Sequence, residues 1–337
     1  MAIHAVGRSD APAPKQASAH NEPERNPGVP FDASWVDAVR VNRSAVERRI
    51  DSLGGRRTVK KDWQAAWLLK AVTCMDLTTL AGDDTPGRVQ RLCAKAKHPI
   101  RRDLAEALGV ADLNLTVGAV CVYHEMVETA VKALEGTAIP VAAVSTGFPA
   151  GLSPFKVRLA EIGESVAAGA REIDIVISRR HVLTSDWAAL YDEVKAFREA
   201  CGPAHLKAII ATGELGAADK VGKASMACMM AGADFIKTST GMEGVNATLP
   251  VSLIMVRQIR DYLERTGRQV GFKPAGGIRA AKTALSYLTL MKEELGDAWL
   301  SPHLFRFGAS ALLGDIERQL EHFLTGRYSA AHRHPLG

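Results

Sequence analysis

The chain has 337 residues, 47% of them hydrophobic and 23% charged, which is the composition of a folded globular protein with enough length for one large domain. Its formal net charge of +5 is spread in short pairs such as Arg48-Arg49 and Lys60-Lys61, without the long basic block of a nucleic-acid surface. Five cysteines without CxxC spacing argue against a disulfide framework or zinc site, and no apolar run suits a membrane span or signal peptide, so a cytoplasmic location is expected.

Residues 1–30 are rich in Ala, Pro, Asn, Ser and charge, which predicts a disordered leader. The spacing of Trp35, Val36, Val39, Val46 and Ile50 predicts a helix from Trp35 to about Ile50. A second helix is expected from about Lys60 to Ala71, with Trp63, Trp67 and Leu68 on one core-packing face. Residues 31–71 therefore read as N-terminal helices packing on the main domain, and 326–337 as a C-terminal tail.

Between residues 72 and 325 the rhythm changes. Short apolar runs recur at Val72–Leu77, Gly118–Tyr123, Val141–Thr146, Glu172–Ile177, Leu206–Ala211, Asp234–Thr238, Val270–Lys273 and Leu304–Gly308. They are dense in Val, Ile, Ala and Phe without clear alternation, as in parallel strands covered on both faces. Amphipathic stretches such as Ala188–Ala200 and Val251–Leu263 lie between them. Eight βα-sized units predict an α/β fold, a (β/α)8 TIM barrel. A doubly wound open sheet is the competitor, but no GxGxxG follows the first strands.

In a barrel, residues just past the C-terminal ends of the strands face the active site. Lys237 follows Asp234-Phe235-Ile236, Lys273 follows Val270-Gly271-Phe272, and Asp174 interrupts Ile173-Asp174-Ile175-Val176. A lysine turned into a barrel loses hydration, and a second ammonium nearby also disfavours its charge, leaving an amine able to attack a carbonyl. With Asp174 inward as well, the three form an amine nucleophile, a tuning cation and a proton shuttle. A structural ion pair, with one lysine neutralising Asp174 and the other reaching outward, uses the same residues, and spacing does not choose between the two. Gly276-Gly277-Ile278-Arg279 and Gly308-Ala309-Ser310 follow the last two strands, where barrels often cradle phosphate on backbone N–H groups. Plain turn chemistry is the other reading of each.

At this point the motifs become recognisable. Asp234-Phe235-Ile236-Lys237-Thr238-Ser239-Thr240-Gly241 resembles the imine-lysine signature of deoxyribose-phosphate aldolases, and Val270-Gly271-Phe272-Lys273-Pro274-Ala275-Gly276-Gly277-Ile278-Arg279 resembles their second-lysine motif. Met75-Asp76-Leu77-Thr78-Thr79-Leu80, Cys121-Val122-Tyr123, Thr146-Gly147-Phe148-Pro149 and Arg306-Phe307-Gly308-Ala309-Ser310 add to the likeness, which runs from about Arg56 to about Tyr328 and is strongest toward the longer, animal-type branch. The resemblance implies a barrel without metal or organic cofactor. It implies reversible cleavage of 2-deoxy-D-ribose 5-phosphate to acetaldehyde and D-glyceraldehyde 3-phosphate, and a homodimer. Lys237 would form the imine, Lys273 would depress its pKa, Asp174 would relay protons through water, and Asp76 would hold Lys273. Thr78, Thr240, Gly241, Gly276, Gly277, Arg279, Gly308 and Ser310 would bind substrate and phosphate. The tail would close over the mouth, with Tyr328 reaching in.

Three positions depart from the family pattern. Met242 stands where a lysine is common, Ala311 where a hydroxyl residue is common, and His124 where proline is common. The first two remove a cation and a hydroxyl donor from the expected phosphate grip: either they shift relative use toward uncharged aldehydes, or Arg279 and the backbone suffice to hold phosphate. His124 reads as a loop histidine near the mouth. Among other activities, an isomerase would need a carboxylate base such as Glu214, and a metal-dependent aldolase would need clustered ligands that the scattered histidines do not offer. A non-catalytic phosphate-binding protein on the same fold is the remaining class.

Overall fold

The computed structural model describes residues 25–56 and 58–335. Eight parallel strands are present: β1 (Met75–Thr78), β2 (Ala119–Tyr123), β3 (Val141–Ser145), β4 (Glu172–Val176), β5 (His205–Ile209), β6 (Phe235–Lys237), β7 (Gly271–Lys273) and β8 (Phe307–Gly308). The order β7-β6-β5-β4-β3-β2-β1-β8 brings the sheet nearly full circle, and bridges from Phe272 to Phe305 and from Ala275 to Gly308 link its two ends. Helices alternate with the strands and cover the outside, as in a (β/α)8 barrel.

Most strands run shorter than the apolar runs that signal them. The first and last strands each start three residues late; at the first, Val72 and Thr73 complete a helix that ends at Thr73, Cys74 caps it, and the strand begins only at Met75. An apolar run cannot by itself separate a buried helix end from a buried strand.

Both faces of the strands are buried, but differently. Outward residues such as Leu77, Val120, Ile173, Ile175, Ile236 and Phe272 pack into the main core beneath the helices. Inside the barrel, Cys121, Ala142, Val144, Phe148, Val176 and Ile209 form a separate apolar cluster. Register places Asp174 beside Lys207, Ile209 beside Lys237, and Lys237 beside Lys273, so polar inward positions of β4 to β7 converge on one region.

The N-terminal region differs from its expected outline. Residues 1–24 lie outside the described part. Residues 25–30, expected to belong to the leader, are docked. Asn26 is 2% exposed, its backbone N–H donates to Asp234 (2.8 Å), and its side chain donates to Met229 O (2.8 Å) and Ala233 O (3.0 Å). Composition missed this because one well-satisfied asparagine anchors the segment.

The single helix expected from Trp35 to Ile50 is two, α1 (Ala33–Ala38) and α2 (Arg43–Arg56). Val39 is extended, Val41 N–H donates to Asp219 (2.7 Å), and Asn42 accepts from Ala45 N–H (3.0 Å) to start the second helix. In α3 (Lys61–Thr73), Leu68 is buried and Trp67 is partly buried against the core, but Trp63 is 73% exposed. At about 100° per residue Trp63 lies roughly 140° around the helix from Leu68, so the three never share a face.

In the tail, Tyr328 stacks on His322 (4.2 Å between ring centroids) and is exposed on the last helix rather than reaching into the barrel mouth. No helix among the described residues is long and apolar enough to cross a membrane.

Candidate active site

Among the described residues, seven acidic or basic side chains point into the barrel and are buried: Asp76 on β1, Glu172 and Asp174 on β4, Lys207 on β5, Lys237 at the end of β6, Lys273 at the end of β7, and Arg306 just before β8. Asp174 is the hub. Its Oδ2 accepts from Lys237 Nζ (2.7 Å) and Lys273 Nζ (2.8 Å), and its Oδ1 accepts from Lys207 Nζ (3.2 Å). Lys273 also donates to Asp76 (2.5 Å). Arg306 clamps Asp76 (2.6 Å) and Glu172 (2.8 Å), and Lys207 completes the lower layer by donating to Glu172.

The sequence reading brings together Lys237, Lys273, Asp174 and Asp76 and misses Lys207, Glu172 and Arg306. The missed signal is alternation: Glu172 and Asp174 flank Ile173, Lys207 is two residues after His205, and Arg306 sits between Phe305 and Phe307. Charge falls on alternate positions of otherwise apolar runs, sharing the inward face with apolar residues such as Val176 and Ile209, which is what a partly polar barrel interior writes into a parallel strand.

With every group ionised, four cations face three carboxylates. Releasing one proton makes the buried cluster neutral, and burying net charge is costly. Lys237 is the lysine whose pKa is lowered: burial is the main cause, and the nearby Lys273 ammonium adds to it, against the pull of Asp174. Burial also works against the charged form of Lys273, but Asp174 and Asp76 outweigh it and hold that amine above the ordinary lysine range. For Asp174, burial favours the protonated acid, yet Lys207, Lys237 and Lys273 together keep it well below the usual carboxylate range. Asp76 is lowered in the same way by Lys273 and Arg306. The arrangement can therefore present one uncharged amine beside a firmly charged ammonium and carboxylate. Lys237 Nζ lies 6.0 Å from the Phe148 ring centroid, at the edge of the apolar interior cluster, which keeps its surroundings dry.

The remaining expected residues ring this cluster. Thr78 N–H donates to Ser310 Oγ (3.0 Å), joining the ends of β1 and β8. A Cβ on Gly308 would stand 3.3 Å from Lys273 Cε and 2.7 Å from Ala275 Cβ, so glycine there leaves the lysine its path. Gly276 and Gly277 adopt positive φ (82° and 80°), forming a turn whose backbone can line an anion site. Arg279 is exposed beyond it, and Met242 is 55% exposed on the neighbouring loop. Thr240 and Gly241 do not present free amides. Both N–H groups donate to the Glu243 carboxylate, a contact that sequence reading did not anticipate.

Residues proposed for other chemistries sit elsewhere. Glu214 pairs with Arg179 (2.5 Å) and is half-exposed outside the cluster. His124 lies 3.3 Å from Glu161, whose other oxygen accepts from Gly147 N–H (2.8 Å). Among the described residues, no three His, Cys, Asp or Glu side chains converge to hold a metal ion. A cavity of about 690 Å³ opens at the opposite, N-terminal end of the barrel, where Glu172 and Arg306 form part of its lining. Lys237 and Lys273 are not among its lining residues, so its size does not mark the chemistry.

Comparison with known proteins identifies the family. The DeoC/LacD family aldolase profile matches residues 70–314. The chain is 60% identical over 321 residues to a deoxyribose-phosphate aldolase of Homo sapiens, covering 95% of this chain and 99% of the relative. It is 61% identical over 311 residues to the Mus musculus protein of the same name, covering 92% and 98%. A solved deoxyribose phosphate aldolase from Aeropyrum pernix, described as tetrameric, superposes with a TM-score of 0.58 at 20% identity over 83% of this chain and 99% of that one, a likeness of fold. The chain belongs to the DeoC/LacD aldolase family and, within it, to the deoxyribose-phosphate aldolases.

Proposed function

We propose that the protein catalyses the reversible cleavage of 2-deoxy-D-ribose 5-phosphate to acetaldehyde and D-glyceraldehyde 3-phosphate through an imine on Lys237. The observation that carries this reading is the imbalance of the buried cluster: four cations against three carboxylates, with Lys237 the lysine of lowered pKa. An uncharged amine is the form that attacks a carbonyl.

In the synthetic direction, Lys237 Nζ adds to acetaldehyde, and the carbinolamine hydroxyl leaves as water on a proton delivered from the Lys273–Asp174 pair, giving a protonated imine. The imine draws electrons from the adjacent methyl group, so a proton departs toward Asp174 and an enamine forms. The enamine carbon attacks the acceptor aldehyde, whose oxygen is protonated from the Lys273 side of the cluster, and hydrolysis then frees product and amine. Lys273 and Asp174 share the Oδ2 contact that would carry these protons, and Asp76 holds Lys273 in place. Such positioned acid–base groups contribute on the order of 10²–10⁴ in rate. The Gly276–Gly277 turn, Arg279, Gly308 and Ser310 would receive the phosphate end, with Met242 and Ala311 making that grip weaker than a lysine and a hydroxyl would.

Borohydride trapping with acetaldehyde, followed by mass mapping, tests the reading. The expected product is a reduced two-carbon adduct on Lys237. An unmodified chain, or an adduct confined to another lysine, overturns it.

A further inference from the structure

The loop after β6 carries its own anion. Gly241 has φ of 94°, and the successive N–H groups of Thr240 and Gly241 turn to one side, the backbone arrangement that forms a nest for an anion. Glu243 fills that nest. Its Oε1 accepts from Thr240 N–H (2.9 Å), and its Oε2 accepts from Gly241 N–H (3.1 Å) and Thr240 Oγ1 (2.7 Å). The side chain is 8% exposed, so this is an inward carboxylate and not a surface charge.

The nest adjoins the glycine turn after β7. A Cβ on Gly241 would stand 3.8 Å from Gly276 Cα, and one on Gly276 would come within 2.6 Å of the Asn246 side chain. Ala247 N–H donates to Ala275 O (3.2 Å), tying the two loops together. Asn246 Oδ1 is buried without a donor and lies 2.8 Å from where that Gly276 Cβ would be. On this side of the turn, then, two N–H donors are already spent on a carboxylate, and an amide oxygen waits for a donor. Such lining repels an anion and suits a hydroxyl group.

We propose that Glu243 is a specificity-determining residue: by occupying the Thr240–Gly241 nest it disfavours phosphorylated acceptors and shifts selectivity toward neutral hydroxyaldehydes. This rests on the reading that the far end of the acceptor meets the Gly276–Gly277 turn. Two like charges held a few ångströms apart at a partly buried site repel strongly enough to change relative affinity by about tenfold or more.

The test uses Glu243→Gln, which keeps an oxygen acceptor for the two N–H groups and removes the charge. Two quantities are read: the ratio of kcat/KM for 2-deoxyribose 5-phosphate over 2-deoxyribose, and inhibition by inorganic phosphate. The ratio is expected to rise about tenfold, with phosphate inhibiting at correspondingly lower concentration. Glu243→Ala, which empties the nest, should move both in the same direction. An equal fall in kcat/KM for both sugars would make Glu243 a structural staple of the loop and overturn the proposal. Arg279→Ala separates phosphate binding at the glycine turn from its tuning by Glu243. If it weakens phosphate inhibition while Glu243→Gln leaves it unchanged, the glycine turn binds phosphate but Glu243 does not tune it. If neither variant moves phosphate inhibition, the placement of the acceptor's far end fails, and this inference with it.

Discussion

The floor and the rim of this barrel mouth are built by different rules. On the floor, seven side chains, six from five strands and Arg306 from just before β8, hold one another through contacts of about 2.5–3.2 Å, and each buried charge has a partner. On the rim, recognition rests on backbone turns at Gly241, Gly276 and Gly277 and on exposed side chains such as Arg279 and Met242. The floor is over-determined: moving one charge alters the ionisation of the others. The rim is permissive, so single substitutions there should change preference without disturbing the chemistry.

On the floor, the most disruptive substitution for the chemistry is Lys237→Met. Activity should fall roughly 10⁴-fold or more, as when a covalent nucleophile is lost, and borohydride trapping should vanish. Stability should behave unusually for a buried ion-pair deletion, which ordinarily costs about 3–5 kcal/mol. Here three cations would remain against three carboxylates, and Asp174 would keep Lys273 and Lys207. The melting temperature is expected at or above that of the parent protein. A drop of several degrees would mean that Lys237 is a structural cation after all.

Lys207→Met tests the same balance from below, without touching the reacting amine. Lys207 contacts Glu172, Asp174 and Asp76, so its removal leaves those carboxylates leaning on the remaining cations. Neutrality would then need Lys237 charged. The pH profile of imine trapping should move upward, with turnover at neutral pH falling about 10²-fold. The sign of the parent's own dependence follows from the lowered pKa of Lys237. The unfolded chain binds a proton there that the folded chain has released. Stability from this site therefore rises with pH from the folded pKa up to the ordinary lysine value near about 10.4. The depressed Asp174 and Asp76 give a slope of the same sign in a lower window: their contribution is present above about pH 4 and is lost as pH falls toward their folded values. Trapping rates measured from neutral to alkaline pH, with melting curves over both limbs, check each sign.

The same contrast explains what could be read from sequence. Lys237 and Lys273 are legible because a lysine ending an apolar strand needs a reason. Lys207 and Arg306 obey the same rule but stand inside their runs, where recognising them requires knowing which alternate positions face the barrel interior. Trp63 shows the reverse error: a large apolar residue at a helix start looked like core, but the arc of α3 that meets the barrel is set by Leu68, Ala71 and Val72. The docking of Asn26 and the Glu243 contacts depend on backbone groups brought in from elsewhere or turned by positive φ, and neither leaves a periodic trace.

On the rim, Met242→Lys should have the smallest effect and the most selective one. Met242 is 55% exposed, so a lysine there needs no repacking. A charge-assisted contact of roughly 1.5–3 kcal/mol would raise the preference for phosphorylated over unphosphorylated deoxyribose by about one to two decades, less where solvent screens it. Trapping by acetaldehyde should not change, because acetaldehyde does not reach the rim. An unchanged preference ratio would mean that Arg279 and the glycine amides already saturate the phosphate grip. Combining Met242→Lys with Glu243→Gln then measures whether the two neighbours act on one anion. A new lysine beside Glu243 can pair with it instead of with phosphate, so the double variant should exceed the product of the single effects. Plain additivity would place residue 242 and Glu243 on separate parts of the rim.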